Sequence, residues 1–147
     1  MIDLIDLEKK INSELNTKIK KTKIKHNQLF IEINMEDLID VSLFLKTNNN
    51  FKFRQLIDIT VVDYPENSQR FKIVYIFLSH ELNQRLIVNS FINENEVIST
   101  LTSIFPSANW MEREVFDMYG VKFKDHPDLR RILTDYNFEG YPLRKDF

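Results

Sequence analysis

The sequence predicts an α+β fold in which a small, mostly antiparallel sheet is flanked by helices and followed by an extended C-terminal tail. Three observations predict this fold. In two segments near the N-terminus, apolar residues recur at spacings of three and four, the period of an amphipathic helix. Three runs rich in β-branched residues then follow one another with short turns, which favours an antiparallel meander. Beyond residue 120 no regular period remains, and the tail is predicted there.

The first predicted elements are a helix and a hairpin. Ile2 to Asn16 carry apolar residues three and four apart, which predicts an amphipathic helix with a charged outer face. Lys18 to Lys25 and Leu29 to Ile33 alternate as strands do, and His26-Asn27-Gln28 between them predicts a hairpin turn. The lysines of the first strand fit an exposed sheet edge, where they deter unwanted pairing.

A second helix and the meander follow. The helix is predicted over Met35 to Lys46 with Asn34 as its N-cap. The meander strands are predicted over Arg54 to Tyr64, Arg70 to Ser79 and Gln84 to Ile92. The second of these runs is the most apolar, so it is predicted to be the central strand.

Two further helices are predicted before the tail. One begins at Glu94 or Asn95 and runs to about Ile104, where Pro106 stops it. This helix would complete an α/β globular domain over residues 1–106. Residues 107–147 would then hold a helix from Ser107 to Tyr119 and the tail, with Gly120 as a left-handed C-terminal cap.

The composition excludes several classes of chemistry. The chain has 147 residues, about the length of one domain, and a net charge of −2. It therefore lacks the basic excess that holds a phosphate backbone, and nucleic acid is not an expected partner. The absence of cysteine excludes disulfides, thiolate nucleophiles and iron–sulfur ligation by this chain alone. No apolar run approaches the roughly 20 residues that a membrane span needs, so no direct span is expected.

The composition and the N-terminus also bear on the origin of the gene. Asn, Lys, Ile and Phe are frequent, whereas glycine occurs twice and alanine once. This bias is typical of an AT-rich gene, such as those of many organelle genomes, and the chain is expected to be organelle-encoded. The acidic residues Asp3, Asp6 and Glu8 argue against a transit peptide.

Carboxylates and a histidine near the fourth predicted helix raise the question of an active site. Glu112, Glu114 and Asp117 precede His126, a side chain that titrates near neutral pH. The sequence offers no nucleophile beside them and no second histidine to complete a metal site. His126 also precedes Pro127, which favours extended backbone, so it is expected to anchor a turn with its neighbours. No catalytic residue, bound cofactor or metal ligand is therefore predicted.

The segment from Trp110 to Phe147 resembles the signature region of the 30 kDa subunit of respiratory complex I. That family includes the mitochondrially encoded subunit 9 and the plastid J subunit of a related quinone oxidoreductase. The matching blocks are Glu112-Arg113-Glu114, Asp117-Met118-Tyr119-Gly120, His126 to Leu133, and Phe138 to Phe147. The resemblance rests on the ordered set, because the blocks keep their spacing relative to one another.

The resemblance implies a core structural and assembly subunit in the peripheral (matrix) arm of a proton-pumping NADH:ubiquinone oxidoreductase. Its location would be the mitochondrial inner membrane, and its chief partner within the hetero-oligomer would be the 49 kDa-type subunit. It would support electron transfer from NADH to quinone, while FMN and the iron–sulfur clusters are bound by other subunits. Family members usually continue past the element that ends here at Phe147.

The tail is accordingly expected to pack on a partner subunit. Mixed charges with interleaved aromatic residues suit a protein groove, and Trp and Arg are enriched at interface hot spots. Trp110 fits the domain's own core equally well. The predicted interface residues are Trp110, Glu112, Arg113, Glu114, Asp117, His126, Arg130, Arg131, Tyr141, Arg144 and Lys145.

Two alternatives stay open at this point. The chain could be the equivalent subunit of a related membrane-bound quinone oxidoreductase or hydrogenase-like complex. It could also be a free-standing enzyme or an RNA-binding module, since basic and aromatic residues interleave in single-strand binders as well.

Overall fold

A computed structural model describes residues 3–135 and 137–147. Ile2 of the first predicted helix and Tyr136 of the predicted tail lie outside this part of the chain. The main sheet has five strands in the order β1-β2-β5-β4-β3. They are β1 (Ile19–Lys25), β2 (Gln28–Ile33), β3 (Gln55–Asp63), β4 (Phe71–Ser79) and β5 (Gln84–Ile92). The α-helices are α1 (Leu4–Leu15), α2 (Leu38–Thr47) and α3 (Ala108–Tyr119).

The N-terminal elements form as their periodicity predicts. The α1 helix begins after Asp3, whose carboxylate accepts a hydrogen bond from the Ile5 amide at 3.2 Å. The β1–β2 turn is shorter than predicted and consists of His26 and Asn27. Both residues have positive φ, 52° and 61°, the signature of the two-residue turn that matches strand twist.

The predicted second helix divides into two parts. Met35–Asp37 form a 3₁₀ turn and α2 follows directly. Asn34 has the extended backbone of an N-cap, but its side chain makes no capping hydrogen bond. The chain then passes through β3 and β4 before β5 returns to pair with β2.

The antiparallel meander of β3, β4 and β5 is confirmed, but the predicted central strand is wrong. β5 occupies the middle of the sheet because β2 pairs with it in parallel, with Ile31 opposite Val88. β4 lies between β5 and the edge strand β3. Apolar content does not separate the two strands, because the parallel pairing that decides the order is non-local.

The predicted helix over residues 94–104 does not form. The chain turns after β5 and forms β6 (Val97–Ser99), which pairs in parallel with β7 (Lys122–Lys124) beyond α3. Ile98 and Phe123 are opposite each other in this pair and are both buried. The distant β7 partner therefore fixes this segment as a strand, although its local apolar spacing also fits a helix.

The α3 helix ends as predicted, but it begins differently. Gly120 adopts φ 81°, and its amide donates to the Phe116 carbonyl at 2.8 Å, as a left-handed cap does. The Ser107 hydroxyl does not cap the helix and donates instead to the Leu56 carbonyl on β3 at 3.0 Å. This bond ties the start of α3 to the sheet.

One core contains the buried sides of all three helices and one face of the main sheet. From α3 and the segment after it, Ala108, Val115, Val121 and Phe123 belong to the same core. The predicted boundary between residues 106 and 107 therefore runs through a single core.

Candidate functional site

The C-terminal tail is bound to its own domain. It contains little regular structure, as predicted, and within this chain it packs against α3 and the main sheet. Three groups of contacts hold it, around the side chain of Asp117, the backbone of Gly120 and the side chain of Asp63.

Asp117 is the first anchor of the tail. Its buried carboxylate accepts hydrogen bonds from the amides of Ile132, Leu133 and Thr134 at 3.1, 2.8 and 2.9 Å. The Thr134 hydroxyl adds a bond of 2.6 Å, and Arg131 forms an ion pair at 2.8 Å. Burial alone would raise the pKa of Asp117, but the Thr134 hydroxyl and the three amides outweigh it and hold the pKa well below its usual range.

Arg113 binds the same stretch of tail from one turn earlier on α3. Its guanidinium donates to the carbonyls of Arg130 and Arg131 at 3.1 and 3.2 Å. It also lies 5.1 Å from the centre of the Trp110 ring. Arg113 therefore binds the tail backbone, while Arg131 supplies the ion pair to Asp117.

Gly120 is the second anchor because it leaves room for an aromatic ring. A Cβ at this position would lie 2.6 Å from Cε2 of Tyr141. The Arg144 guanidinium lies 4.7 Å from the Tyr141 ring centre and 5.3 Å from that of Phe71. Its Nε donates to the Tyr119 carbonyl at 2.7 Å, which holds the stack against the end of α3.

Asp63 and Arg70 form the third anchor. Arg70 binds the Asp63 carboxylate with two nitrogens at 2.6 and 2.8 Å, and both side chains are buried. The same guanidinium pairs with Asp146 at 2.8 Å, and the Lys145 amide donates to Asp63 at 2.8 Å. The hydrogen bond from Arg70 is the main reason that the pKa of Asp63 is lowered.

Sequence reasoning missed the Asp63–Arg70 pair. The available signal was two opposite charges on either side of the Pro65 to Ser68 turn, at the adjoining ends of two predicted strands. An ion pair at such a position joins the two strands across the turn. Here Asp63 also accepts a hydrogen bond from the Lys145 amide at the end of the tail.

Glu112 and His126 form a buried pair on the other side of α3. Glu112 accepts hydrogen bonds from the Thr100 hydroxyl and from the Leu101 amide, and burial raises its pKa to about 7. The His126 ring accepts from the Asp128 amide at 3.0 Å and lies 3.1 Å from the Asn109 carbonyl, to which its other nitrogen donates. The predicted role of His126 as a turn anchor is confirmed.

The predicted interface residues therefore separate into buried and exposed sets. Glu112, Arg113 and Asp117 are buried and present no side chain to a partner in this structure. Arg113 and Asp117 bind the tail, whereas Glu112 binds Thr100 and Leu101. Trp110 is 64% exposed, so its alternative placement in the core is wrong. Several other large apolar side chains of this region are exposed as well. They are Leu133, Leu143 and Phe147.

The other predicted residues lie on the tail. Arg131, Tyr141 and Arg144 are half-buried in the anchors, and Lys145 is exposed beside the third anchor. Glu114 is exposed on α3, and the exposed Arg130 pairs with Asp128 at 3.0 Å. The interface itself stays a prediction for the exposed members.

Neither a metal-binding cluster nor a membrane-spanning helix is present in the described part of the chain. No group of three or more His, Cys, Asp or Glu side chains within residues 3–135 and 137–147 is arranged to hold a metal ion. In the same residues, no helix is both long and apolar enough to cross a membrane.

Residues 31–147 match the family described as the respiratory-chain NADH dehydrogenase, 30 kDa subunit. The chain belongs to this family. It is 52% identical to the C subunit of the NADH-quinone oxidoreductase of Dinoroseobacter shibae over 86% of this chain and 59% of that protein. The C subunit from Ruegeria pomeroyi is 50% identical over 84% and 62%. The one from Chelativorans sp. is 45% identical over 98% and 72%. The chain thus spans about three fifths of the length of the first two relatives.

Solved structures confirm the α+β fold. A trypsin-resistant fragment of Nqo5 superposes with a TM-score of 0.70 at 23% identity, covering 87% of this chain and all of the fragment. A chain of an archaeal respiratory membrane complex, the membrane-bound sulfane sulfur reductase, superposes with a TM-score of 0.82. It is 26% identical, over 97% of this chain and 84% of that one.

Proposed function

We propose that this chain is a core structural and assembly subunit of the peripheral arm of a proton-pumping NADH:ubiquinone oxidoreductase. The observation that carries the proposal is the family match over residues 31–147, together with 45–52% identity to C subunits of bacterial NADH-quinone oxidoreductases. Its role is to hold neighbouring subunits together while electrons pass from NADH to quinone. In this proposal it contributes no catalytic residue, and its partners bind FMN and the clusters. The absence of cysteine supports the part that concerns iron–sulfur clusters.

The bound tail supports a docking role. Its three anchors fix the tail before any partner arrives, and a preorganised surface loses less conformational entropy on binding than a mobile one. Leu133, Leu143 and Phe147 remain exposed on the tail, and Trp110 remains exposed on α3. We assign them to the contact with the 49 kDa-type subunit, since exposed aromatic side chains on a rigid element are typical interface anchors.

The proposed location is the matrix side of the mitochondrial inner membrane. The support is compositional, because the frequent Asn, Lys, Ile and Phe are typical of an organelle-encoded gene. In the bacterial relatives the equivalent membrane would be that of the cell. Subcellular fractionation followed by immunodetection of the chain decides between the two.

A second candidate function has one specific observation in its favour. The archaeal sulfane sulfur reductase chain covers 97% of this chain with a TM-score of 0.82, so the fold also serves a related membrane complex. Its identity of 26% is well below the 52% of the NADH-quinone oxidoreductase relative, which favours the first candidate.

Native gel electrophoresis of detergent-solubilised membranes, followed by mass spectrometry, tests the proposal. The chain should co-migrate with flavin- and cluster-carrying NADH oxidoreductase subunits. Trp110→Ala with Leu143→Ala should release it, because loss of a hot-spot Trp alone costs about 2 kcal/mol or more. Leu43→Ala, at a 47% exposed position on α2, is the matched control and should leave assembly unchanged. Migration of the wild-type chain only as a free monomer would overturn the proposal.

A further inference from the structure

The main sheet has a second face that does not belong to the core. Side chains on this face alternate along each strand with those that pack under the helices. Phe30, Val74, Ile76, Ile87 and Phe91 lie here, and none of them belongs to the core that the described residues form. An apolar sheet face of this kind normally requires cover.

The apolar strip of this face runs across three strands. Phe30 on β2 lies opposite Ile87 on β5, and Ile87 lies opposite Ile76 on β4. Ile87 is buried, but Phe30 and Ile76 are only half-buried and stay accessible. The strip thus forms the floor of a shallow surface with room for an apolar side chain.

Four lysines border the floor. Lys21, Lys23 and Lys25 project from β1 on this face, because their cross-strand partners on β2 include Phe30. Lys72 on β4 lies on the opposite side of a groove of about 510 Å³ that all four lysines line. None of the four forms an ion pair with a residue that the structure describes.

The only acidic group lining this groove within the described chain is already neutralised. Glu32 pairs with Lys20 at 3.6 Å. The groove therefore carries an uncompensated positive charge although the whole chain has a net charge of −2. Such a local field attracts a carboxylate-bearing partner and repels a basic one.

Asn89 supplies an independent observation. It lies in the groove opposite Val74, is only 7% exposed, and its carboxamide makes no hydrogen bond to any described residue. Among the described residues, the buried polar side-chain atoms that lack a hydrogen-bond partner are on Ser42, Tyr75 and Ser90, so the carboxamide of Asn89 is open to the groove. It offers both a donor and an acceptor to the backbone of a bound segment.

We propose that this groove, lined by Lys21, Lys23, Lys25, Lys72, Phe30 and Asn89, docks an acidic protein segment that carries an apolar anchor residue. The anchor covers Phe30 and Ile87, the carboxylates meet the lysines, and Asn89 binds the segment's backbone. The groove offers the ring of Phe30 but not the series of aromatic platforms on which single-strand binders stack successive bases, and a free anion would leave the apolar floor uncovered. This surface goes beyond the proposed function, because no tail residue lines it.

Carbodiimide cross-linking of the chain in its native assembly tests the docking proposal. The reagent joins a lysine amine directly to a carboxylate within contact distance. Mass spectrometry should find Lys21, Lys23, Lys25 or Lys72 joined to Asp or Glu of another polypeptide. In the same assembly these lysines should be protected from amine acetylation relative to the free chain, whereas the exposed Lys9 and Lys10 on α1 should not. Equal acetylation of the groove lysines in the assembly and in the free chain would overturn the proposal.

Charge reversal provides the matched variants. Lys21→Glu, Lys23→Glu and Lys25→Glu together should weaken retention of the cross-linked partner about tenfold, since each exposed ion pair contributes up to a few-fold in affinity. Lys9→Glu with Lys10→Glu should have no such effect, and circular dichroism verifies that both variants fold. Protection of the groove lysines in the free chain by oligouridylate, or by phosphatidylglycerol vesicles, would instead identify a nucleic-acid or lipid site and contradict the proposal. The subunits that co-purify test the proposed function separately, so the two can fail independently.

Discussion

At the scale of single residues, Asp117 binds the tail through more hydrogen bonds than any other described side chain of the domain. It is buried and accepts three amide hydrogen bonds, a hydroxyl hydrogen bond and an ion pair from one continuous stretch, residues 131–134. An acidic side chain is almost never fully buried unless it is paired in this way. Asp117 therefore has a structural role, which is to hold residues 131–134 against α3.

Asp117→Asn should lower the free energy of unfolding by about 3 kcal/mol, because it leaves the half-buried Arg131 without its counter-charge. It also replaces one carboxylate oxygen with an NH2 group, which cannot accept a hydrogen bond from the backbone amides. Chemical denaturation followed by circular dichroism measures the change. Asp125→Asn, at an exposed position, is the control and should stay within about 0.5 kcal/mol of wild type. Equal stability of the two variants would show that Asp117 does not clamp the tail.

The pH dependence of this contact follows from the lowered pKa of Asp117. A carboxyl with a depressed folded-state pKa stabilises the fold above the unfolded value of about 3.9 and loses that contribution as the pH falls further. The unfolding midpoint of wild type should therefore drop more steeply below about pH 4 than that of Asp117→Asn.

The pH dependence of stability expected from Glu112 has the opposite sign, because burial raises the pKa of Glu112 to about 7. Its contribution to stability is complete below the unfolded pKa of about 4.3 and is lost as the pH rises through about 7. Glu112→Gln cannot ionise and keeps groups that can bond to Thr100 and Leu101. Its stability relative to wild type should therefore increase by about 3 kcal/mol between pH 4 and pH 8. A pH-independent difference in thermal unfolding would contradict the raised pKa.

Sequence reasoning found most of these residues but did not foresee that several of them are buried. Asp117, Arg113 and Glu112 stand out as charges in a recognisable block, and charge alone suggests a surface. Their partners lie 11 to 18 positions away along the chain, as with Leu101 for Glu112 and Arg131 for Arg113. Only the folded chain brings such pairs together, so burial of these charges has no local signal.

At the scale of elements, local periodicity predicts the helices and strands that depend on neighbouring residues. It fails for the features that depend on pairing with distant residues. The α1 helix, the hairpin and the meander strands depend on nearby side chains and form as predicted. The position of β5 depends on parallel pairing with β2, and the strand β6 depends on β7 across the whole of α3. Asn34 and Ser107 have the residue types of caps, yet neither side chain makes a capping bond.

Substitution of Gly120 at the end of α3 tests the contact between the helix cap and the Tyr141 ring of the tail. Gly120→Ala should lower stability by roughly 2 kcal/mol or more, because a left-handed backbone costs an L-residue about 1–2 kcal/mol and the new Cβ collides with the Tyr141 ring. Hydrogen exchange should then rise in residues 141–147, since the ring and Arg144 lose their seat. Chemical denaturation measures the loss of stability, and peptide-level mass spectrometry measures the exchange.

Gly140→Ala is the matched control for that substitution. Gly140 also has a positive φ, 87°, but its new Cβ would approach only the exposed ring of Phe147. It should carry the backbone cost alone and leave exchange around Tyr141 close to wild type. If the two variants behaved alike, the effect would arise from backbone strain and the ring contact would add nothing.

At the scale of the whole molecule, the tail packs against the domain at three successive places. It passes α3 at Asp117, stacks on the helix end at Gly120 and finishes at Asp63, the last residue of β3, and Arg70, which directly precedes β4. The region that carries the family signature therefore shares one core with the rest of the domain, and we expect the two to unfold together. This arrangement changes where the chain can be cut without losing the fold.

Two truncations test this unity. Removal of residues 108–147 should abolish cooperative folding, because it takes Ala108, Val115, Val121 and Phe123 out of the core, and burial of each large apolar side chain contributes roughly 1.5–3 kcal/mol. A domain's whole stability is only about 5–15 kcal/mol. Removal of residues 141–147 alone spares the core and the Asp63–Arg70 pair, so that variant should still fold, with a lower melting temperature. Thermal unfolding by circular dichroism distinguishes the two, and a cooperative transition in the 1–107 fragment would show that the sheet forms an independent domain. If the tail works as a preorganised docking element, the folded variant without residues 141–147 should also be lost from the native assembly, which links the anchors of the tail to its proposed function.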